Sequence, residues 1–157
     1  MKLADEIKSN KFSSEHQKAH VNILFTANWI NGLMSKLFKR YDISAEQYNV
    51  LRVLRGSHPM KRCLKEITER MLDKNSNTSR IVKKLVDKQL IEIEEHETDK
   101  RFYQIGIHQN GLKLLKQIDV EMEKNPSIKQ ILTEKESKLL SELFDKMRDL
   151  LNFFFKK

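Results

Sequence analysis

Apolar residues recur every three or four positions along most of the chain, which is the spacing of an amphipathic helix. Residues 13–40 keep this spacing and predict one long helix. A second helix is predicted to start at Ser44, because Ser44 and Gln47 form an S-x-x-Q capping box. It is expected to end near Gly56, with Pro59 in the loop beyond.

Two short helical patterns follow, and together they predict a helix-turn-helix. The inward positions of the first are expected to be Leu64, Ile67, Met71 and Leu72. The second covers residues 76–89, and Asn75 and Ser76 are its expected caps, since their side-chain oxygens accept hydrogen bonds from a helix N-terminus. Its apolar stripe is predicted to consist of Thr78, Ile81, Val82, Leu85 and Val86.

Beyond residue 90 the apolar positions alternate with polar ones, and this period of two indicates strands. The alternating positions are Ile91 and Ile93 in one strand and Tyr103, Ile105 and Ile107 in the other. The polar residues 96–101 between them are interpreted as the tip of a hairpin. The predicted fold class is therefore mostly α with a two-stranded β-hairpin wing (α+β), a winged helix-turn-helix.

Helix is predicted again from Gln109, with a break at Asn125-Pro126 and a last helix opened by a Thr133/Glu136 capping box. The last helix carries a broad apolar stripe that ends in Phe153, Phe154 and Phe155. Apolar surfaces of this size mark interfaces, although the first helix of the same chain is an alternative cover. The predicted division is 1–40, an N-terminal dimerisation segment; 41–111, a winged helix-turn-helix lobe; and 112–157, C-terminal dimerisation helices.

The distribution of charge along the chain indicates which class of molecule the protein binds. The chain has 157 residues and a formal net charge of +8. More than half of this excess lies in residues 60–90, whose basic members are Lys61, Arg62, Lys65, Arg70, Lys74, Arg80, Lys83, Lys84 and Lys88. Such clustering attracts polyanions, whereas a solvated polar surface is the alternative interpretation of a charge run taken alone.

The helix predicted over residues 76–89 has a polar face of a width that fits the major groove. Arg80 is expected to donate two hydrogen bonds to guanine, and Asn77 to read adenine. The positions predicted to contact phosphate are Ser76, Lys83 and Lys84, with Ser79 as a further DNA-binding position. At the hairpin tip, Lys100 and Arg101 are expected to bind DNA, with Arg101 in the minor groove and Asp99 orienting it.

These residues carry a specific resemblance. Residues 43–51 (ISAEQYNVL), residues 67–71 (ITERM), residues 76–85 (SNTSRIVKKL) and the Asp99-Lys100-Arg101 tip resemble, in this order, the signatures of the MarR family of bacterial transcription regulators. Three positions depart from the family pattern: Leu72 and Gln89 replace glycines, and His108 stands where a threonine often caps the next helix. None of these departures removes a DNA-contacting position.

The resemblance implies a homodimeric regulator that binds a pseudo-palindromic double-stranded operator and is released by a small-molecule effector. The favoured hypothesis is that this regulator is a repressor. Phe25, Trp29 and Tyr48 are the candidate effector pocket, with core packing as the alternative role of these large aromatics. Two alternatives from other classes are a winged-helix module that binds an acidic protein and a redox sensor that acts through Cys63.

The sequence argues against several classes of protein and of binding site. The single cysteine rules out a disulfide framework, and His16 with His20 supplies only two metal ligands. No G-x-S-x-G, P-loop, H-E-x-x-H or C-x-x-C motif occurs, so no enzyme, metal site or cofactor is predicted. No apolar run is long enough for a membrane span, and the polar N-terminus lacks a secretory signal, so a cytoplasmic location is expected.

Overall fold

The computed structural model describes residues 1–95, 103–124 and 131–155. Its helices are α1 (Leu3–Glu6), α2 (Glu15–Lys39), α3 (Ala45–Ser57), α4 (Leu64–Arg70), α5 (Thr78–Asp87), α6 (Gln109–Glu123) and α7 (Glu134–Phe155). Its strands are β1 (Ile91–Glu95) and β2 (Tyr103–Ile107). The predicted Asn125-Pro126 break and the predicted hairpin tip lie outside the described residues.

The order of elements confirms the predicted winged helix-turn-helix, mostly α with a two-stranded hairpin. β1 and β2 pair antiparallel, with Ile91 opposite Ile107 and Ile93 opposite Ile105. Arg62 joins the hairpin as an isolated bridge, since its backbone N–H and C=O each bond Ile105 at 2.9 Å. The hairpin is therefore tied to the segment that precedes α4.

Helix α3 lies at the centre of the core, because it contacts α2, α4, α5 and β2. Val50, Leu51 and Leu54 on α3 are almost fully buried. The other core side chains of these elements are Phe38, Ile67, Met71, Val82, Leu85, Ile91, Ile105 and Ile107. Burial of this apolar surface, at roughly 25 cal/mol per Å², holds α5 against the rest of the lobe. Helix α5 is the second helix of the helix-turn-helix and is called the recognition helix below.

Both predicted capping boxes are confirmed. The Gln47 N–H donates to Ser44 Oγ at 3.2 Å, and the Ser44 N–H donates to Gln47 Oε1 at 2.9 Å. At the start of α7 the Thr133 N–H donates to Glu136 Oε2 at 2.8 Å, and this bond lowers the pKa of Glu136. These reciprocal bonds satisfy N–H groups that a helix N-terminus otherwise leaves unpaired.

The turn between α4 and α5 corrects one prediction. Leu72 was expected to point inward, but 89% of its surface is exposed. The reason is that α4 ends at Arg70 and Met71 is already extended, so Leu72 lies outside the helix while Met71 takes the last core position. The Leu72 N–H donates instead to Asn49 Oδ1 on α3, at 2.8 Å.

The N-cap of α5 corrects a second prediction. Asn77 caps the helix, not Asn75 or Ser76: its Oδ1 accepts the Arg80 N–H at 3.0 Å. Asp73 organises the residues before it, accepting the Asn75 N–H at 2.9 Å and the Ser76 hydroxyl at 3.0 Å. The turn is thus closed by Asp73, two residues before Asn75 and three before Ser76.

The C-terminal end of α5 has a left-handed residue without a glycine. Gln89 has φ 54°, and the Leu90 N–H reaches back to the Leu85 C=O at 3.0 Å. This pattern of bonds is usually built on glycine, because a Cβ makes positive φ costly. His108 does cap the next helix, since its Nδ1 accepts the Asn110 N–H at 3.2 Å.

By its contacts the chain divides into two units, residues 1–116 and residues 117–157. The first contains the lobe just described together with α2, and the second contains α7. Among the described residues no helix is both long enough and apolar enough to cross a membrane. The three-part division proposed from the sequence stays a prediction.

Candidate nucleic-acid interface

Helix α5 has one buried face and one cationic face. Thr78, Val82 and Leu85 face the core, whereas the polar side chains of the opposite face are exposed. These exposed residues are Ser79, Arg80, Lys83, Lys84 and Asp87. Their three- and four-residue spacing places Arg80, Lys83 and Lys84 along one side of the helix.

The cations of this face have no ion-pair partner among the residues that the structure describes. Within the described part of the chain the side chains of Arg80, Lys83 and Lys84 make no hydrogen bond and no ion pair. Lys88, one turn beyond Lys84, differs, since its ammonium binds the carboxylate of Asp42 at 2.8 Å. The positive charge that remains available on α5 is therefore concentrated on three neighbouring side chains.

The two predicted DNA-binding residues before α5 are already engaged. Asn77 Oδ1 is the helix cap, and the Ser76 hydroxyl donates to Asp73. Reading adenine requires an amide donor and an amide acceptor together, so the cap competes with that role for Asn77. Asp73 and Asn49, which shape this turn, were missed by the sequence analysis. The Asp-x-Asn spacing was a usable local signal for Asp73.

An open cleft of about 460 Å³ lies between the N-terminus of α3 and the start of α5. Its lining residues are Ser44, Glu46, Gln47, Ser76, Asn77, Arg80, Ile81 and Lys84. The structure thus brings four of the predicted DNA-binding residues, Ser76, Asn77, Arg80 and Lys84, to one concave surface.

The base of the wing is held by ion pairs. Lys61 Nζ lies 3.2 Å from Glu92 Oε1 and also contacts Glu94, both on β1. The hydrogen bond to Glu94 is the main cause of the raised pKa of Lys61. Lys61 belongs to the basic cluster of residues 60–90 that is predicted to attract DNA, but its charge is neutralised within the fold by these two glutamates. The predicted tip residues Asp99, Lys100 and Arg101 lie outside the described residues.

A sequence model of the MarR family matches residues 41–101, the segment that contains this helix-turn-helix and the first strand of the wing. The HTH-type transcriptional regulator TcaR of Staphylococcus aureus (strain Newman) is 30% identical over 144 residues, which cover 87% of this chain and 89% of TcaR. The chain belongs to the MarR family. It is a DNA-binding transcription regulator and not an enzyme.

Solved structures share the fold of this MarR-family chain. A MarR-like transcription regulator from Bacillus cereus ATCC 10987 has a TM-score of 0.72 at 23% identity, covering 88% of this chain and 99% of that one. A mutant MarR from E. coli complexed with operator DNA has a TM-score of 0.67 at 21% identity, covering 94% and 99%. The similarity to these two structures establishes the architecture.

Cys63 is the N-cap residue of α4 and is half-buried. Its backbone N–H donates to Glu66 Oε2 at 2.9 Å, and this bond is the main cause of the lowered pKa of Glu66. Glu66 also binds Arg62 at 3.1 Å, and Arg62 in turn donates to the buried Ser57 hydroxyl at 3.0 Å. The structure thus places Cys63 at the edge of a polar network, and its redox role stays a prediction.

The three candidate effector residues are not all neighbours in one chain. Tyr48 stacks on Phe38, with ring centroids 4.2 Å apart. Phe38 lies nine residues beyond Trp29 on α2, which is roughly 13 Å along the helix axis. Phe25 is half-buried and Trp29 is 46% exposed. Whether these side chains form an effector pocket stays a prediction.

The two histidines of α2, His16 and His20, are exposed. Among the described residues no group of three or more His, Cys, Asp or Glu side chains is arranged to hold a metal ion.

Proposed function

We propose that this MarR-family chain is a homodimeric repressor that binds a pseudo-palindromic double-stranded operator and is released by a small-molecule effector. The observation that carries the proposal is the exposed cationic face of α5, formed by Arg80, Lys83 and Lys84, whose charges have no ion-pair partner in the part of the chain that the structure describes. A helix of this width enters the major groove, where free guanidinium and ammonium groups meet base edges and phosphates. The proposal implies a cytoplasmic location, because bacterial operator DNA is cytoplasmic.

Within that groove each side chain has a separate role. Arg80 presents a planar pair of donors that matches the O6 and N7 acceptors of guanine. Lys83 and Lys84 are point charges suited to phosphate, with Ser76 and Ser79 as neutral donors beside them. Asn77 contributes through its amide N–H group, since its Oδ1 is the helix cap. E. coli MarR, which shares the fold, has been crystallised with operator DNA.

The wing supplies the second contact. In the proposal Lys100 and Arg101 lie on its projecting tip, where Arg101 enters the minor groove and Asp99 orients the guanidinium. The hydrogen bonds of Arg62 to β2 and the ion pairs of Lys61 with β1 give the base of this wing a fixed attachment to the lobe.

Dimerisation is supported by two exposed apolar stripes, each described within its own unit. On α2, Leu24, Trp29 and Leu33 are each about half exposed at 53%, 46% and 46%. On α7 the exposed apolar residues are Leu139, Leu140, Leu143, Met147, Leu150, Leu151, Phe153 and Phe154. Stripes of this length are costly in water, so a second copy is the proposed cover. A two-fold dimer would present its two recognition helices about 34 Å apart, one turn of DNA.

Effector release requires two states of the dimer that differ in the separation of the recognition helices. An effector bound near Phe25, Trp29 and Tyr48 shifts the balance only as far as its affinities for the two states differ. The apolar surface left exposed by Trp29 is the feature that supports an aromatic ligand at this place.

The test is a titration of the wild-type protein onto a duplex that it has itself selected from a randomised pool. Lys84→Ala should reduce the slope of log affinity against log salt by about one, because one phosphate contact is lost. Lys138→Ala, which removes a paired lysine of α7, is the control and should leave the slope unchanged. Binding that random duplex DNA does not compete for, but an acidic protein does, would favour the protein-interaction module instead.

A further inference from the structure

Lys84 and Lys88 lie one turn apart at the end of α5, and among the described residues Lys88 has an ion-pair partner whereas Lys84 has none. Both line a cleft of about 480 Å³ together with Lys39, Asp42 and Asp87. The Lys88 ammonium donates to Asp42 Oδ2 at 2.8 Å and also to the backbone C=O of Asp42. Its side chain is 30% exposed. The two lysines are therefore comparable in position but differ in whether an acidic side chain neutralises the ammonium group.

Asp42 lies in the turn that joins α2 to α3, where its φ of 53° is left-handed. The ion pair therefore connects residues that are 46 positions apart in the chain. It ties the C-terminal end of the recognition helix to the turn that follows the long N-terminal helix.

The same end of α5 is held from a second side. The His108 N–H donates to the Leu90 C=O at 3.1 Å, and Asn110 Nδ2 contacts the Gln89 C=O at 3.4 Å. Gly111 approaches so closely that a Cβ there would lie 2.3 Å from the Leu90 oxygen. The end of the helix is thus held between the Asp42 turn and the start of α6.

We infer that Lys88 is a positioning residue for operator binding rather than a phosphate contact, and that Asp42 is the group through which it acts. The inference rests on the proposed function, because it assigns a role within that interface. A free lysine that neutralises a phosphate releases a counterion condensed on the DNA. A lysine that is already neutralised by a carboxylate does not. Lys88 therefore fixes the orientation of α5 within the lobe, while Lys84 makes the electrostatic contact with phosphate.

The experiment compares Lys88→Met, Asp42→Asn, their double variant and Lys88→Arg with Lys84→Met, on the duplex selected by the wild type. Lys88→Met and Asp42→Asn should each weaken binding about two- to fivefold, the range of one exposed ion pair, with an unchanged salt slope. The double variant should be no weaker than Lys88→Met, because Lys88→Met already removes the ion pair that Asp42→Asn breaks. Lys88→Arg should bind as the wild type does, and Lys84→Met should lower the slope by about one.

A slope that falls by about one in Lys88→Met, or losses that multiply in the double variant, would overturn the inference. So would unchanged or tighter binding by Asp42→Asn. Amide hydrogen exchange of residues 84–90 without DNA gives a separate readout. It should be about two- to fivefold faster in the two single variants and restored in Lys88→Arg. Unchanged exchange would overturn the positioning role, whereas a wild type that binds no DNA would overturn only the proposed function.

Discussion

The cations of this protein fall into two regions that look alike in sequence and differ in structure. On the outer face of α5, Arg80, Lys83 and Lys84 are exposed and unpaired within the described residues. Around the wing and the ends of the recognition helix, Lys61, Arg62 and Lys88 are bound to carboxylates. The first region has charge to offer a partner, and the second uses its charge to hold the first in place.

The difference shows why a count of basic residues overstates a nucleic-acid surface. A lysine already paired contributes little further potential at the surface, because its partner carries the opposite charge a few ångströms away. The functional electrostatics of the lobe therefore depend on pairing, which is a property of the fold. Breaking each region separately should give effects of different kinds.

The largest effect is expected from Gly111→Ala, which alters the contact that holds the C-terminal end of α5. The added Cβ would lie 2.3 Å from the Leu90 oxygen and 2.9 Å from Ile107 Cγ1. Because the nearest neighbour is backbone, we expect a loss of about 2–3 kcal/mol in the free energy of unfolding, measured by urea denaturation. Gly32→Ala on α2, where nothing lies within 4 Å, is the matched control and should stabilise by up to about 1 kcal/mol. Equal effects of the two would contradict the close contact.

The next largest effect is expected on the recognition side, in Arg80→Ala. If Arg80 reads a guanine, discrimination at one base pair should fall by about 1–3 kcal/mol while stability is unchanged, because the side chain makes no hydrogen bond or ion pair within the described residues. Arg62→Ala is the paired counterpart: it should reduce stability, since it removes bonds to Ser57 and Glu66, without relaxing one base position. Affinities for a set of single-base operator variants decide this. Uniform weakening on all of them would reassign Arg80 to phosphate.

Local sequence signals predicted one of these two regions much better than the other. The capping boxes, the change of period beyond residue 90 and the spacing of Arg80, Lys83 and Lys84 all depend on residues within a turn or two of each other. They predicted the fold and the position of the cationic face correctly.

In the paired region the Arg62–Glu66 pair is local, spanning four positions, but the pairs of Lys61 and Lys88 were not predictable in the same way. The pairs Lys61–Glu92 and Asp42–Lys88 join residues 31 or more positions apart, and no local pattern specifies such partners. Leu72 was misplaced for a related reason: its N–H is held by Asn49, 23 residues away, so α4 ends earlier than its apolar spacing suggests. Tertiary contacts decide both cases.

A smaller effect is expected from Gln89→Gly, which alters the paired end of α5 without touching a cation. Gln89 has φ 54°, a conformation that glycine adopts without the cost of a Cβ. The gain is partly offset by the greater freedom of glycine in the unfolded chain. We therefore expect about 0.5–1 kcal/mol of added stability in thermal unfolding, with operator discrimination unchanged. Gln89→Ala, which keeps the Cβ, is the control, and an equal gain there would contradict the explanation.

The smallest effect is the pH dependence of the paired region at Glu66. The hydrogen bond from the Cys63 N–H, followed by the Arg62 guanidinium, lowers the pKa of Glu66 from its ordinary value of 4.5. A lowered folded pKa gives stability that is present above the unfolded pKa and lost as pH falls through the folded value. The free-energy difference between wild type and Glu66→Gln should therefore favour the wild type near neutrality, by well under about 1 kcal/mol for a group this exposed. The difference should begin to decline near pH 4.5 and vanish once the pH is below the lowered pKa of folded Glu66, where protonated Glu66 and glutamine are near-isosteres. A difference that persists unchanged in acid would show that the lost contact is not electrostatic.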